Sequence, residues 1–111
     1  FDEYRNFVPG DQSINFELED LKFSLLICED IWQSGGPVAR LSEDKSDMAL
    51  VLNGSPFEID KDDRRVDLVK KLAHEQNVAV AYVNLVGGQD DLVFDGDSFV
   101  VDANQNLIGR A

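Results

Sequence analysis

Residues 21–32, "LKFSLLICEDIW", decide the fold. "LKFSLLI" is a strand whose second half is apolar enough to be buried on both faces. It runs directly into Cys28, the single cysteine of the chain, and then into Glu29 and Asp30. Gly35, Gly36 and Pro37 follow within the next few residues and mark a loop or short helix from Glu29 to Ser46. A strand that ends on a thiol before a possible helical turn is a strand–elbow unit. At such an elbow the backbone N–H of Glu29 points where a developing oxyanion could sit. A thiol there can ionise more readily if a cation or a helix N-terminus is close. On residue type and spacing alone, a buried core cysteine is still the stronger interpretation, because free cysteine is among the most buried residue types.

Outward from this strand the pattern alternates between the two regular periods. Upstream, "INFELED" alternates apolar and polar, as a half-exposed strand does, and pairs most simply with "LKFSLLI" as a hairpin. Residues 1–13, with Pro9 and Gly10, form loop with at most one short helical turn. Downstream, "DMALVLNG" is a short apolar run bounded by turn signals, a buried strand. A helix follows. Asp60 can cap it, Asp62 and Asp63 sit in its first turn, and Val66, Val69, Leu72 and Ala73 recur at helical spacing before Asn77. "VAVAYVNLV" is then a buried strand, "GGQDDLVFDG" a loop or tight excursion, and "DSFVVDANQNLIGR" a hairpin turning near Asn104 to Asn106. The sum is an α/β arrangement with a mixed sheet.

Composition narrows the function classes. With 111 residues and 43% hydrophobic content the chain suits one globular domain or part of one. A net charge of −12 argues against nucleic acid or an anionic membrane as partner, since both are met by clustered Lys and Arg. No apolar run approaches the ~18 residues of a membrane span. A lone cysteine cannot close an internal disulfide, which fits a reducing, cytoplasmic compartment.

Other candidate sites are weaker. His74, the only histidine, lies near the C-terminal end of the helix, where an imidazole sits in solvent or caps carbonyls, so it is a poor partner for Cys28. In "DDLVFDGD" a calcium loop would use Asp91, Asp95 and Gly96, but Val93 occupies a ligand position and Asp102 stands where glutamate is expected. "GGQDD" lacks the spacing and the Lys-Ser/Thr pair of a phosphate loop. Ser55 in "NGSPF" is most simply a turn residue, although a hydroxyl at that strand end could line a pocket beside Cys28.

Four stretches change the weight of these alternatives: "FDEYRNFVPG", "LLICEDIW", "NGSPFEIDKDDRR" and "YVNLVGGQDDLVFDG". In this order they resemble the nitrilase-like (carbon–nitrogen hydrolase) glutaminase domain of glutamine-dependent NAD synthetases, through essentially the whole chain. The resemblance implies part of an αββα sandwich and a Cys–Glu–Lys triad that releases ammonia from the glutamine side chain. It makes Cys28 the nucleophile, with the Glu29 N–H as an oxyanion donor and Glu3 as the acid that orients substrate. It also matches Ser55, Pro56, Phe57 and Lys61 to the segment that holds the α-amino and α-carboxylate groups of glutamine. The acids after Cys28 would orient or support the site.

In that family the catalytic lysine and the general-base glutamate both precede "FDEYR". Lys22, Lys45, Lys70 and Lys71 lie in no matching motif. The expectation is therefore that residues 1–111 are the C-terminal portion of a glutaminase domain and inactive, or nearly so, alone. The upstream part of the domain and the synthetase domain would be absent, leaving an apolar sheet face uncovered. No cofactor is expected in this chain, since ATP and magnesium would belong to the synthetase domain of a parent enzyme. Expected partners are glutamine and that synthetase domain, with a homo-oligomer in the parent. Two alternatives stay open: a non-catalytic nitrilase-like interaction domain, and a relative acting on another amide or a nitrile.

Overall fold

The computed structural model describes residues 14–31, 36–54, 61–89 and 92–111. In chain order the strands are β1 Ile14–Leu18, β2 Leu21–Ile27, β3 Met48–Asn53, β4 Ala79–Asn84, β5 Val86–Gln89, β6 Leu92–Asp95, β7 Phe99–Val101 and β8 Leu107–Arg110. Helices are a short α1, Gly36–Ala39, and α2, Lys61–Gln76, with a 3₁₀ turn at Cys28–Ile31. Six strands form one mixed sheet in the order β1-β2-β3-β4-β7-β8, and β5 and β6 form a separate two-stranded sheet. The centre, β2-β3-β4, is parallel, while β1, β7 and β8 join antiparallel at the edges.

Local chemistry explains the connections. Glu19 and Asp20 both have positive φ, 50° and 67°, which is the two-residue turn whose twist suits a hairpin, and Leu18 pairs with Leu21 across it. α2 ends where Asn77 enters the left-handed region at φ 52°. There the Val78 N–H donates to the Ala73 carbonyl (3.1 Å) and the Asn77 N–H to that of His74 (3.4 Å). That pair of bonds is a Schellman cap, and buried Val78 supplies its apolar contact. The β7–β8 hairpin turns on Asp102, whose carboxylate accepts from the backbone N–H groups of Asn104 and Asn106 at 2.9 Å each. These bonds hold the Asp102 carboxyl below its ordinary value, the Asn106 N–H first among them.

One face of the sheet carries the core. Leu26, Ala49, Val51, Val80, Tyr82, Phe99 and Val101 point to that face and pack with Val69, Leu72 and Ala73 of α2. The other face is just as apolar and lies open. In register, Phe16 pairs with Phe23, Ile27 with Leu52, and Leu52 with Val83. Ile27 is 60% exposed, Leu52 47% and Val83 45%. The expectation of an uncovered apolar face therefore holds, while burial of β2 on both faces does not. Ile27 is open because nothing among the described residues lies over it.

Two further findings concern boundaries. "VAVAYVNLV" stops being central strand at Asn84, and Leu85 and Val86 are exposed. Of the loop or tight excursion expected at "GGQDDLVFDG", the structure has the excursion, in the form of a regular hairpin of β5 with β6 from Val86↔Asp95 to Gln89↔Leu92. Its base is closed by the Gly96 N–H donating to the Leu85 carbonyl at 3.0 Å. Gly96 sits at φ 70°, and a Cβ there would come within 2.5 Å of Val86 Cγ2. Glycine at this position serves the hairpin, an explanation that owes nothing to calcium.

Candidate active site

Cys28 is the first residue after β2 and opens the 3₁₀ turn. β2 and β3 are parallel with Ile27 opposite Leu52, so Cys28 comes level with Asn53, which in turn pairs with Asn84 of β4. Three consecutive parallel strands thus end side by side with Cys28, Asn53 and Asn84. Carboxyl ends of parallel strands are where open α/β sheets bind ligands. Neither asparagine was singled out by sequence reasoning, though each closes an apolar run with an amide. Asn53 fastens the row, its Nδ2 donating to the Val51 carbonyl at 3.0 Å and the Val83 carbonyl at 3.2 Å. Its own carbonyl accepts from the Leu85 N–H at 3.0 Å, tying β3 to the base of the β5–β6 hairpin.

The turn itself is held at both ends. Asp30 Oδ2 accepts from the Ile27 N–H at 2.9 Å, and Ile31 is buried in the core at 4% exposure. Only Cys28 and Glu29 lie between Ile27 and Asp30. The backbone thus forms the elbow expected at Cys28 and Glu29.

Topology gives the position of some of the remaining candidates in the fold. β3 and β4 are parallel and α2 is the return between them, so Lys61, at the start of α2, belongs to the same end of the sheet as Cys28. α2 then runs to the opposite edge before β4 begins, which places exposed His74 at the far end of the sheet from Cys28. Lys22 is at the far end too. Five residue steps of strand, about 17 Å at the usual rise, separate it from Ile27. There the Lys22 N–H donates to Asp47 Oδ2 at 2.7 Å and its ammonium to the Asp44 carbonyl at 2.5 Å. Ser24, bonded to Asn15 and Ser46, completes that polar end. Its role is to fix the chain before β3. Glu3, Ser55, Pro56 and Phe57 lie outside the described residues.

A second charged group sits at the start of β7. Asp97 receives a bidentate pair from Arg110, 2.6 Å from Nε and 2.7 Å from Nη2. Arg110 holds the Asp97 carboxyl below the usual carboxylate value against the opposing effect of burial, and the charge of Arg65 adds to the lowering. Arg65 is 1% exposed, inside α2. Sequence reasoning missed it, and the signal was its place one turn before Val69 on the apolar stripe. Among the described residues no group of His, Cys, Asp and Glu could hold a metal ion.

No protein-family model matches the chain. The glutamine-dependent NAD(+) synthetase of Acinetobacter baylyi is 49% identical over 111 residues, which cover 100% of this chain and 20% of that protein. Among solved structures, the glutamine-dependent NAD+ synthetase of Acinetobacter baumannii, in complex with ADP, superposes with a TM-score of 0.93 at 46% identity. The match covers 100% of this chain and 21% of that one. An amidase of Nesterenkonia, from the nitrilase superfamily, follows at TM-score 0.85 and 28% identity, covering 98% and 41%. Parallel centre, elbow and neighbours together define the chain as an α/β segment of the nitrilase superfamily. Within it the chain belongs with the glutamine-dependent NAD(+) synthetases, and it spans about a fifth of the length of the relatives it matches.

Proposed function

We propose that the chain is the C-terminal portion of a glutaminase domain, and that Cys28 is the nucleophile of glutamine amide hydrolysis feeding ammonia to NAD synthesis. The observation that carries this is the position of Cys28: an elbow at the carboxyl end of a parallel strand, in a sheet that matches NAD synthetases end to end. The Nesterenkonia amidase adds weight, since its structure records covalent addition of an acetamide group at the active site cysteine.

In this mechanism the Cys28 thiolate attacks the carboxamide carbon of glutamine. A C–S bond forms and the carbonyl pair moves to oxygen, where the Glu29 N–H would receive it. Collapse breaks the C–N bond, the nitrogen takes a proton and leaves as ammonia, and a glutamyl thioester remains. Water then cleaves the thioester to glutamate and frees the thiol. Glu3 would orient the substrate, while Ser55, Pro56, Phe57 and Lys61 would hold its α-amino and α-carboxylate groups, one anion partner and one cation partner being needed. The triad's lysine and glutamate would come from elsewhere in a longer protein, together with an ATP- and magnesium-using synthetase domain. A cytoplasmic location and a homo-oligomeric parent enzyme are part of the same proposal. Among the described residues no helix is long and apolar enough to cross a membrane.

The test uses the protein that carries this segment at its natural length. Cys28→Ala should abolish NAD formation from glutamine while leaving formation from free ammonia intact. Equal loss with both nitrogen sources, or no loss with glutamine, would contradict the proposal.

A further inference from the structure

The corner at Cys28 has a specific fastening. The turn Cys28–Ile31 begins directly after β2, so Ile27 occupies the cap position and Asp30 the third position of the turn. The bond from the Ile27 N–H to Asp30 Oδ2, 2.9 Å, is the reach-back half of a capping box. It occurs where the β1 ladder has already ended, its last pair being Ile14 with Leu25. The next residue, Ile31, is buried in the core. Cys28 and Glu29 are therefore the only residues enclosed by the polar clamp from Ile27 to Asp30, and the apolar anchor follows directly.

Charge separates two roles for such a carboxylate. An anion two residues from a thiol disfavours the thiolate, so Asp30 has the wrong sign to activate Cys28. What it can supply is geometry. Resting on the assignment of Cys28 as nucleophile, we propose that Asp30 is a positioning residue for the reaction. Its carboxylate fixes the strand-to-turn corner, and with it the placement of the Cys28 backbone and the Glu29 N–H. Its described hydrogen bond is to the Ile27 backbone, so it acts through the corner.

In the natural-length protein, Asp30→Ala should slow glutamine turnover about 10- to 100-fold, mainly in kcat, since small misplacements of a nucleophile cost that much. Asp30→Asn keeps an acceptor of the same reach and should stay within about threefold of wild type. A merely stabilising role would instead lower thermal stability and leave kcat of the folded enzyme untouched. Should Asp30→Ala fail to fold, Asp30→Glu replaces it: charge retained, reach altered, turnover reduced, with Asp30→Asn still near wild type. Turnover by Asp30→Ala equal to wild type, or Asp30→Asn falling below Asp30→Glu, overturns the inference. Parallel labelling with 6-diazo-5-oxo-norleucine keeps the two claims apart. Wild type that takes up no label at Cys28 removes the nucleophile assignment, whereas labelled wild type with an unimpaired Asp30→Ala removes only the role of Asp30.

Discussion

Two stacked aromatic pairs sit on opposite faces of the same sheet. Tyr82 and Phe99, directly opposite each other on β4 and β7, stack at 5.0 Å and are 1% and 2% exposed. Phe16 and Phe23, directly opposite on β1 and β2, stack at 5.2 Å, yet Phe16 remains 40% exposed. Pairing chemistry is the same in both; what differs is the layer above. α2 and its neighbours cover the first pair, and nothing among the described residues covers the second. An open apolar face of this kind marks an interaction surface, here suited to the second sheet of an αββα sandwich. The chain thus combines one finished interior with one surface that is apolar enough to become another.

The largest expected effect lies on the finished side. Phe99→Ala should cost about 3–5 kcal/mol in urea unfolding, as truncation of a buried ring does. Phe16→Ala should cost less than about 1 kcal/mol in the 111-residue chain and several times more in the natural-length protein, where a covering layer would add transfer and cavity costs. Equal costs for Phe16→Ala in both settings would mean that no further layer covers this face.

Next comes the hairpin base. Gly96→Ala should destabilise by about 1–2 kcal/mol, because it forces a Cβ into the left-handed region and against Val86. Adding Val86→Ala relieves the clash but not the backbone cost, so thermal unfolding of the double variant should recover only part of the loss.

The smallest effect is electrostatic. The Asp97 carboxyl is depressed in the folded state, so its contribution is present above its unfolded value of about 4 and disappears as pH falls through the folded value. Asp97→Asn tolerates the φ of 53° and should cost about 1 kcal/mol or less near neutrality, where the Arg110 pair is partly solvated. In acid the variant and wild type should converge. A gap that widens below pH ~4 would show the sign to be wrong.

The periodic elements were legible in the sequence for simple reasons. Apolar runs bounded by turn residues gave β3 and β4, and the 3.6 period through Val66, Val69, Leu72 and Ala73 gave α2. β5 and β6 were hidden because Gly87, Gly88, Asp90 and Asp91 are turn formers, and only cross-strand pairing makes the segment regular. Burial of Arg65 was hidden because a charged side chain is ordinarily assigned to solvent even when its helical position is apolar. At the site, the strand–elbow at Cys28 was visible in the order of residue types. The clamp by Asp30 was not, since it depends on where β2 stops. The adjacency of Asn53 and Asn84 to Cys28 depends on parallel register, which no local pattern encodes.

On the proposed function, this half-covered sheet would present Cys28 as a glutamine-amide nucleophile. Intact mass after exposure to 6-diazo-5-oxo-norleucine tests it most directly, with the natural-length protein, its Cys28→Ala variant and the 111-residue chain run side by side. A single adduct is expected on the natural-length protein that maps to Cys28, is absent in Cys28→Ala and is suppressed by excess glutamine, with little or none on the 111-residue chain. A folded natural-length protein that takes up no adduct, or takes it up elsewhere, would contradict it.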